Sequence, residues 1–187
     1  MSLKTAFSSS RALLRQLNVK SLGDDLKFFF VIVLTGSLLF TLASFLPALY
    51  TGNESGSSGL YLIGLVLLGV FIGLIQGLIN GVIILLGVSL IEHFFLLFVN
   101  EHKGFEKTMK SVIYALSPSI LLFWAAVVIE STFVRLLLLF CFGLISYFGI
   151  QTFHEKSKDR AAFVTLATSA VLLMFFSRWI FNQGLLW

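Results

Sequence analysis

Charge is scarce in this chain of 187 residues: Asp, Glu, Lys and Arg make up 12%, where a soluble domain carries about 25%. That leaves too little polar surface to cover a water-soluble globule. Cysteine is nearly absent. Cys141, in Leu-Leu-Leu-Leu-Phe-Cys-Phe-Gly, is the single thiol, so no intramolecular disulfide can form and the redox compartment is not readable. It reads as a small packing or lipid-facing residue. The three histidines, His93, His102 and His154, lack metal-ligand spacing, and neither HExxH nor CxxC occurs; no metal and no cofactor are expected. Also missing are GxSxG and a P-loop, and Ser8-Ser9-Ser10 has no triad partners, so the chain does not read as an enzyme. A net charge of +4 is too small and too scattered for nucleic acid.

What the chain has is apolar length. Hydrophobic residues make up 58%, and mean hydropathy is +0.99. Crossing a bilayer takes about 20 apolar residues. Runs of that kind fall at 28–50, 60–99, 111–129, 133–150 and 161–181. They are separated by the Gly/Ser-rich loop 51–59 and by the charged segments 101–110 and 151–160. The expectation is an all-α integral membrane protein, a five-span helical bundle behind a basic tail of residues 1–27.

Residues 60–99 could count as one crossing or two, and the positive-inside rule decides. With the N-terminus cytoplasmic and one crossing, 11 cations lie inside: Lys4, Arg11, Arg15, Lys20, Lys27, Lys103, Lys107, Lys110, Lys156, Lys158 and Arg160. Arg135 and Arg178 lie outside. Two crossings would split the same residues 7 against 6. Five spans follow, with the C-terminus on the far side. Forty helical residues would reach roughly 60 Å, twice the hydrocarbon thickness of about 30 Å. A bend or break near Asn80-Gly81 is therefore expected, with residues 82–99 running along the inner leaflet or against the other helices.

Within that span Gly69, Gly73, Gly77 and Gly81 recur every fourth residue, and Gln76 and Asn80 share their side of a helix, within an arc of about 140°. In lipid, small residues let helix backbones approach and amides bond across the contact. The face could close against this chain, close against a second copy, or line a polar path. Glu92 and His93 interrupt an apolar run, which in a membrane marks a function or a paired partner. His93 lies only eight residues before Glu101, so headgroup depth is the other reading. A relay would need Glu92 to face inward near His154, Tyr114 or Gln76. Pro118 should kink the third span, because it leaves the Tyr114 carbonyl without its donor; Ser117 and Ser119 stand ready to satisfy freed groups.

In the tail, a helix over 3–17 would place Leu3, Ala6, Phe7, Leu13, Leu14 and Leu17 on one face and Lys4, Arg11, Arg15 and Asn18 on the other. That suits a helix lying on anionic headgroups, which Lys4, Arg11, Arg15 and Lys20 would contact; a basic tail acting only as a topology signal is the alternative. No cleavable signal peptide is expected.

The stretch 103–118, Lys-Gly-Phe-Glu-Lys-Thr-Met-Lys-Ser-Val-Ile-Tyr-Ala-Leu-Ser-Pro, resembles the signature of the Yip1 domain family. So does His93-Phe-Phe-Leu-Leu before it, and Tyr147-Phe-Gly-Ile-Gln-Thr-Phe-His-Glu-Lys-Ser-Lys-Asp-Arg-Ala-Ala leading into the last span. The resemblance covers roughly residues 28–182 and implies five spans with a cytoplasmic N-terminus. Eukaryotic members of the family act in vesicle traffic, bind Rab-type GTPases and are tied to membrane shaping. This chain lacks their long tail and their Asp-Leu-Tyr-Gly-Pro motif, so GTPase binding is not carried over. It is more similar to compact prokaryotic members, which implies a multi-pass protein of the cytoplasmic (inner) membrane. The function expected is a non-enzymatic organiser of membrane lipid and protein. Its partners would be anionic headgroups at the cytoplasmic face and a second copy or another membrane protein. The competing expectation is a small-solute, ion or proton transporter that uses the polar residues of the second span.

Overall fold

A computed structural model of the chain describes residues 21–52, 59–100 and 103–181, with the side chains of 46–52 and 59–63 outside that description. Five helices account for nearly all of it: α1 (Leu22–Gly52), α2 (Gly59–Phe98), α3 (Phe105–Val128), α4 (Thr132–Phe153) and α5 (Lys158–Ile180). No strand occurs among the described residues. All five helices are long and apolar enough to cross a membrane. Their outer faces carry large apolar side chains in the open, among them Leu67, Phe71, Ile83, Phe133, Phe140 and Met174. In water such a belt would be a liability; lipid is the solvent that accepts it. The tail residues Lys4, Arg11, Arg15 and Lys20 lie outside the described residues, as does His102.

Neighbours follow the order α2, α1, α3, α4, α5, and α5 returns to α2, so the helices close a five-membered ring; α2 also touches α3 across it. The ring is tight where side chains are small. Gly81, Gly77, Gly73 and Gly69 of α2 face Val33, Ser37, Thr41 and Phe45 of α1, so closely that a Cβ on any of the four would strike its partner. On α1, Gly36 lies against the Ile120 side chain and carbonyl of α3, and on α4 Gly149 lies against Ser111. Phe29, Val33, Leu85, Val88, Val112, Leu116, Phe142 and Leu172 fill the core between these contacts, so every helix contributes to it.

The α2 helix runs unbroken through Asn80-Gly81, so no break occurs there. Its second half packs against the other helices: Leu85, Val88, Ser89, Glu92 and Leu96 are all buried. Register explains where the excess length goes. Gly36 beside Ile120 sets the level of α1 against α3, which puts Val128 beside about residue 44 of α1. Beyond that level α1 continues to Gly52 and α2 begins at Gly59. The paired helices therefore extend together roughly 12 Å past the end of α3.

At the other end of the bundle lie the start of α1 and the loops joining α2 to α3 and α4 to α5. Ser21 caps α1: its Oγ accepts the Asp24 N–H at 3.2 Å and donates to Asp24 Oδ2 at 2.8 Å. The α2 helix ends at Phe98, and the turn that follows closes on Asn100, which takes a left-handed φ of 56°. There Lys156 donates to the Asn100 carbonyl at 3.0 Å and Arg160 to the Val99 carbonyl at 3.5 Å. Cations at a helix C-terminus complement its dipole. Lys103 pairs with Glu155 at 2.7 Å, tying the two loops together. Every described lysine sits at this basic end.

Helix α3 begins at Phe105, six residues before the apolar run that marks the third span, because Phe-Glu-Lys-Thr-Met-Lys is already helical, with Lys110 and Glu106 paired at 3.3 Å. It continues through Pro118. Ser117 Oγ donates to the Ile113 carbonyl at 2.7 Å, but Ser119 Oγ turns away from its own helix and reaches the Leu138 carbonyl of α4 at 3.3 Å. The second serine thus joins α3 to α4 instead of serving a group freed by the proline.

Candidate functional site

The polar residues inside the bundle fall into two places, one in each half. Nearer the basic end, α2 and α3 touch across the ring. Glu92 is fully buried there, and Ser146 of α4 donates to its Oε2 at 2.7 Å. Ser111 stands beside the same carboxyl without closing a hydrogen bond in this geometry. Glu92 Oε1 and the buried Ser89 Oγ, one turn earlier on α2, have no hydrogen-bond partner. Placing an ionised carboxylate in such surroundings is costly, and a single hydroxyl offsets only part of it. Glu92 therefore faces inward, as a relay would need, but it meets Ser146 rather than His154, Tyr114 or Gln76.

Two histidines converge on one hydroxyl close by. His93 Nδ1 lies 3.0 Å and His154 Nε2 3.4 Å from Thr108 Oγ1. A threonine hydroxyl can donate to one ring and accept from the other, so the three groups make a continuous polar chain from α2 through α3 to the end of α4. Phe105 packs edge-on against His93, with centroids 5.4 Å apart. Tyr114 faces elsewhere: its hydroxyl donates to Asp25 Oδ1 on α1, while its ring stacks on Phe28 and Phe153. Asp25 is itself buried.

The opposite half of the ring is hollow. A cavity of about 630 Å³ lies among all five helices. Its wall includes Gln76 and Asn80, side by side on α2, and Arg135 of α4. Arg135 is 5% exposed. It donates to the Trp179 carbonyl at 2.6 Å, and its guanidinium lies 5.1 Å from the centre of the Trp179 ring, near enough for cation–π attraction. The rest of the wall is mainly apolar. Glu92 is not part of it.

So the residues singled out in the sequence do not form one cluster. His93 and His154 meet through Thr108, Glu92 meets Ser146, Tyr114 meets Asp25, and Gln76 and Asn80 stand apart at the cavity. Sequence reasoning missed Thr108, Ser111, Ser146, Asp25 and Arg135. Asp25 and Thr108 sit in charged stretches that read as aqueous. Ser111 and Ser146 sit in spans where a lone serine carries no signal. Arg135 carries one, as a cation three residues past the Glu130-Ser-Thr turn, but in the sequence alone it reads only as a topology charge.

The family model described as Yip1 domain matches residues 9–179 of the chain. No curated protein and no solved structure gives a match.

Proposed function

Because the chain belongs to the Yip1 domain family, we propose that it is a non-enzymatic membrane organiser whose basic end gathers anionic lipid at the cytoplasmic face. The observation that carries this reading is the separation of charge along the bundle. Lys27, Lys103, Lys107, Lys110, Lys156, Lys158 and Arg160 share one end, where the tail adds Lys4, Arg11, Arg15 and Lys20 with no acid among residues 1–20. Some of the loop cations are matched by Asp24, Glu106 and Glu155, which makes the tail the main source of uncompensated positive charge. Each cation near an anionic surface contributes about 1 kcal/mol, and the attraction fades within a Debye length of about 10 Å at 0.1 M salt.

The test is energy transfer from a dye on Ser157→Cys at the basic end, in a Cys141→Ser background, to labelled phosphatidylglycerol in proteoliposomes. Enrichment over labelled phosphatidylcholine at 50 mM salt, lost at 500 mM, supports the reading. Equal transfer to both lipids at low salt removes it.

A second reading rests on Glu92, whose buried Oε1 lacks a partner: a proton- or ion-coupled transporter of small solutes. It is weakened by the position of Glu92 outside the cavity wall that holds Gln76 and Asn80. Proteoliposome flux in wild type and Glu92→Gln decides it, and background flux in both ends the idea.

A further inference from the structure

The hollow half of the ring has an ordered polarity. Register places Arg135 and Gln76 at one level, about one turn in from the start of α4, whose first residue is Thr132. Asn80 stands one turn deeper, roughly 6 Å. Deeper still the wall is Val88, Leu116, Phe142 and Leu172, without a polar side chain among them. Among the described residues the lining carries one formal charge, the Arg135 guanidinium. Ile84 of α2 and Phe176 of α5 are 37% and 44% exposed on its rim, so the cavity opens sideways into lipid between those helices. A volume near 630 Å³ falls within the range of ligand pockets, about 300–1,000 Å³, and convergent polar groups in an apolar wall are the usual mark of one.

We propose that this cavity holds one anionic phospholipid drawn from the leaflet opposite the basic end. The phosphate lies against Arg135, whose planar guanidinium suits phosphate oxygens. Gln76 and Asn80 meet the glycerol and ester region with amide donors and acceptors. One acyl chain runs down the apolar floor towards the bilayer centre, and the other passes out between α2 and α5. The match is one of order along a depth axis: a cation and an amide at one level, a second amide one turn deeper, then hydrocarbon. The site is separate from the basic end and does not depend on the function proposed for it.

Native mass spectrometry of the full chain in mild detergent tests this, with added phosphatidylglycerol or phosphatidylcholine of identical chains. The expected result is one phosphatidylglycerol retained per chain, about tenfold or more over phosphatidylcholine, because the choline ammonium beside the phosphate offsets its attraction to Arg135 and only phosphatidylglycerol brings a net negative charge. Arg135→Gln should bring the two lipids level. Should that variant fail to fold, Ile84→Trp carries the test: it enlarges an exposed rim residue into the cavity and should abolish retention of both lipids. Changing Lys4, Arg11, Arg15 and Lys20 to Gln should leave the bound lipid in place. Equal retention of both lipids by wild type, or retention unchanged in Ile84→Trp, overturns the proposal. Displacement of the lipid by millimolar inorganic phosphate would show a free-anion site and overturn it as well.

Discussion

Gly77→Ala adds one methyl group where α1 and α2 are closest. The new Cβ would fall on Ser37 Oγ and lie 2.6 Å from Ser37 Cβ. Ser37 Oγ can swing to another rotamer, but Ser37 Cβ is fixed by its own helix, so the helices must part or twist. Overpacking of this kind costs about 1–3 kcal/mol, which is roughly 5- to 150-fold in the folding equilibrium. Relief is available from the other side. Ser37→Gly removes both clashing atoms and leaves Ser37 Cα at 3.9 Å from the new methyl, an ordinary contact. The double variant Ser37→Gly/Gly77→Ala, which only moves the glycine across the interface, should therefore regain most of the loss. Gly64→Ala and Gly87→Ala serve as controls, since a Cβ at either meets nothing within 4 Å. Reversible unfolding in mixed micelles, run as a double-mutant cycle, gives the coupling. If Gly77→Ala is as stable as Gly87→Ala, or the cycle shows no coupling, the contact between the glycine face and α1 is wrong.

Three other perturbations have definite expected outcomes. Ser146→Ala removes the hydroxyl bonded to Glu92; in the same unfolding assay it should destabilise by about 0.6–2 kcal/mol, the scale of hydrogen bonds between membrane helices. Thr108→Val breaks the link between His93 and His154, so the imidazole nitrogen resonances of both should shift together while Thr108→Ser leaves them in place; movement of only one ring refutes the shared hydroxyl. For orientation, Ser157→Cys in a Cys141→Ser background should react with an impermeant maleimide only in inverted vesicles, and Ser131→Cys only in intact cells or spheroplasts. The reverse pattern would place the basic end outside.

The five spans were legible because hydropathy reports the solvent directly: a run of 20 apolar residues has few other uses. The single crossing by α2 was legible too, from the placement of lysines that flank it. Which helix meets which was not. Glu92 and Ser146 are 54 residues apart, and lipid-facing helices that are apolar all round give no stripe to show which side turns inward. The four-residue spacing of Gly69, Gly73, Gly77 and Gly81 marks one side of α2, but the identity of its neighbour, Val33-Ser37-Thr41-Phe45, appears only when two helices are set in register. Charged stretches misled in a different way. Gly-Asp-Asp-Leu-Lys and Phe-Glu-Lys-Thr-Met-Lys read as aqueous edges, yet helices continue through both and bury Asp25 and Thr108. Arg135 is buried at a helix start because Trp179 supplies both a carbonyl and a ring for its guanidinium, and that pairing spans 44 residues.

The claim that the basic end gathers anionic lipid is tested most directly by excising the protein with its surrounding lipid in polymer nanodiscs and measuring the ratio of phosphatidylglycerol to phosphatidylethanolamine against bulk membrane. Four tail cations at about 1 kcal/mol each should raise that ratio well above bulk for the wild type. The variant with Lys4, Arg11, Arg15 and Lys20 changed to Gln should fall back towards the bulk value. A wild-type ratio equal to bulk, or one that the four substitutions leave unchanged, contradicts the claim.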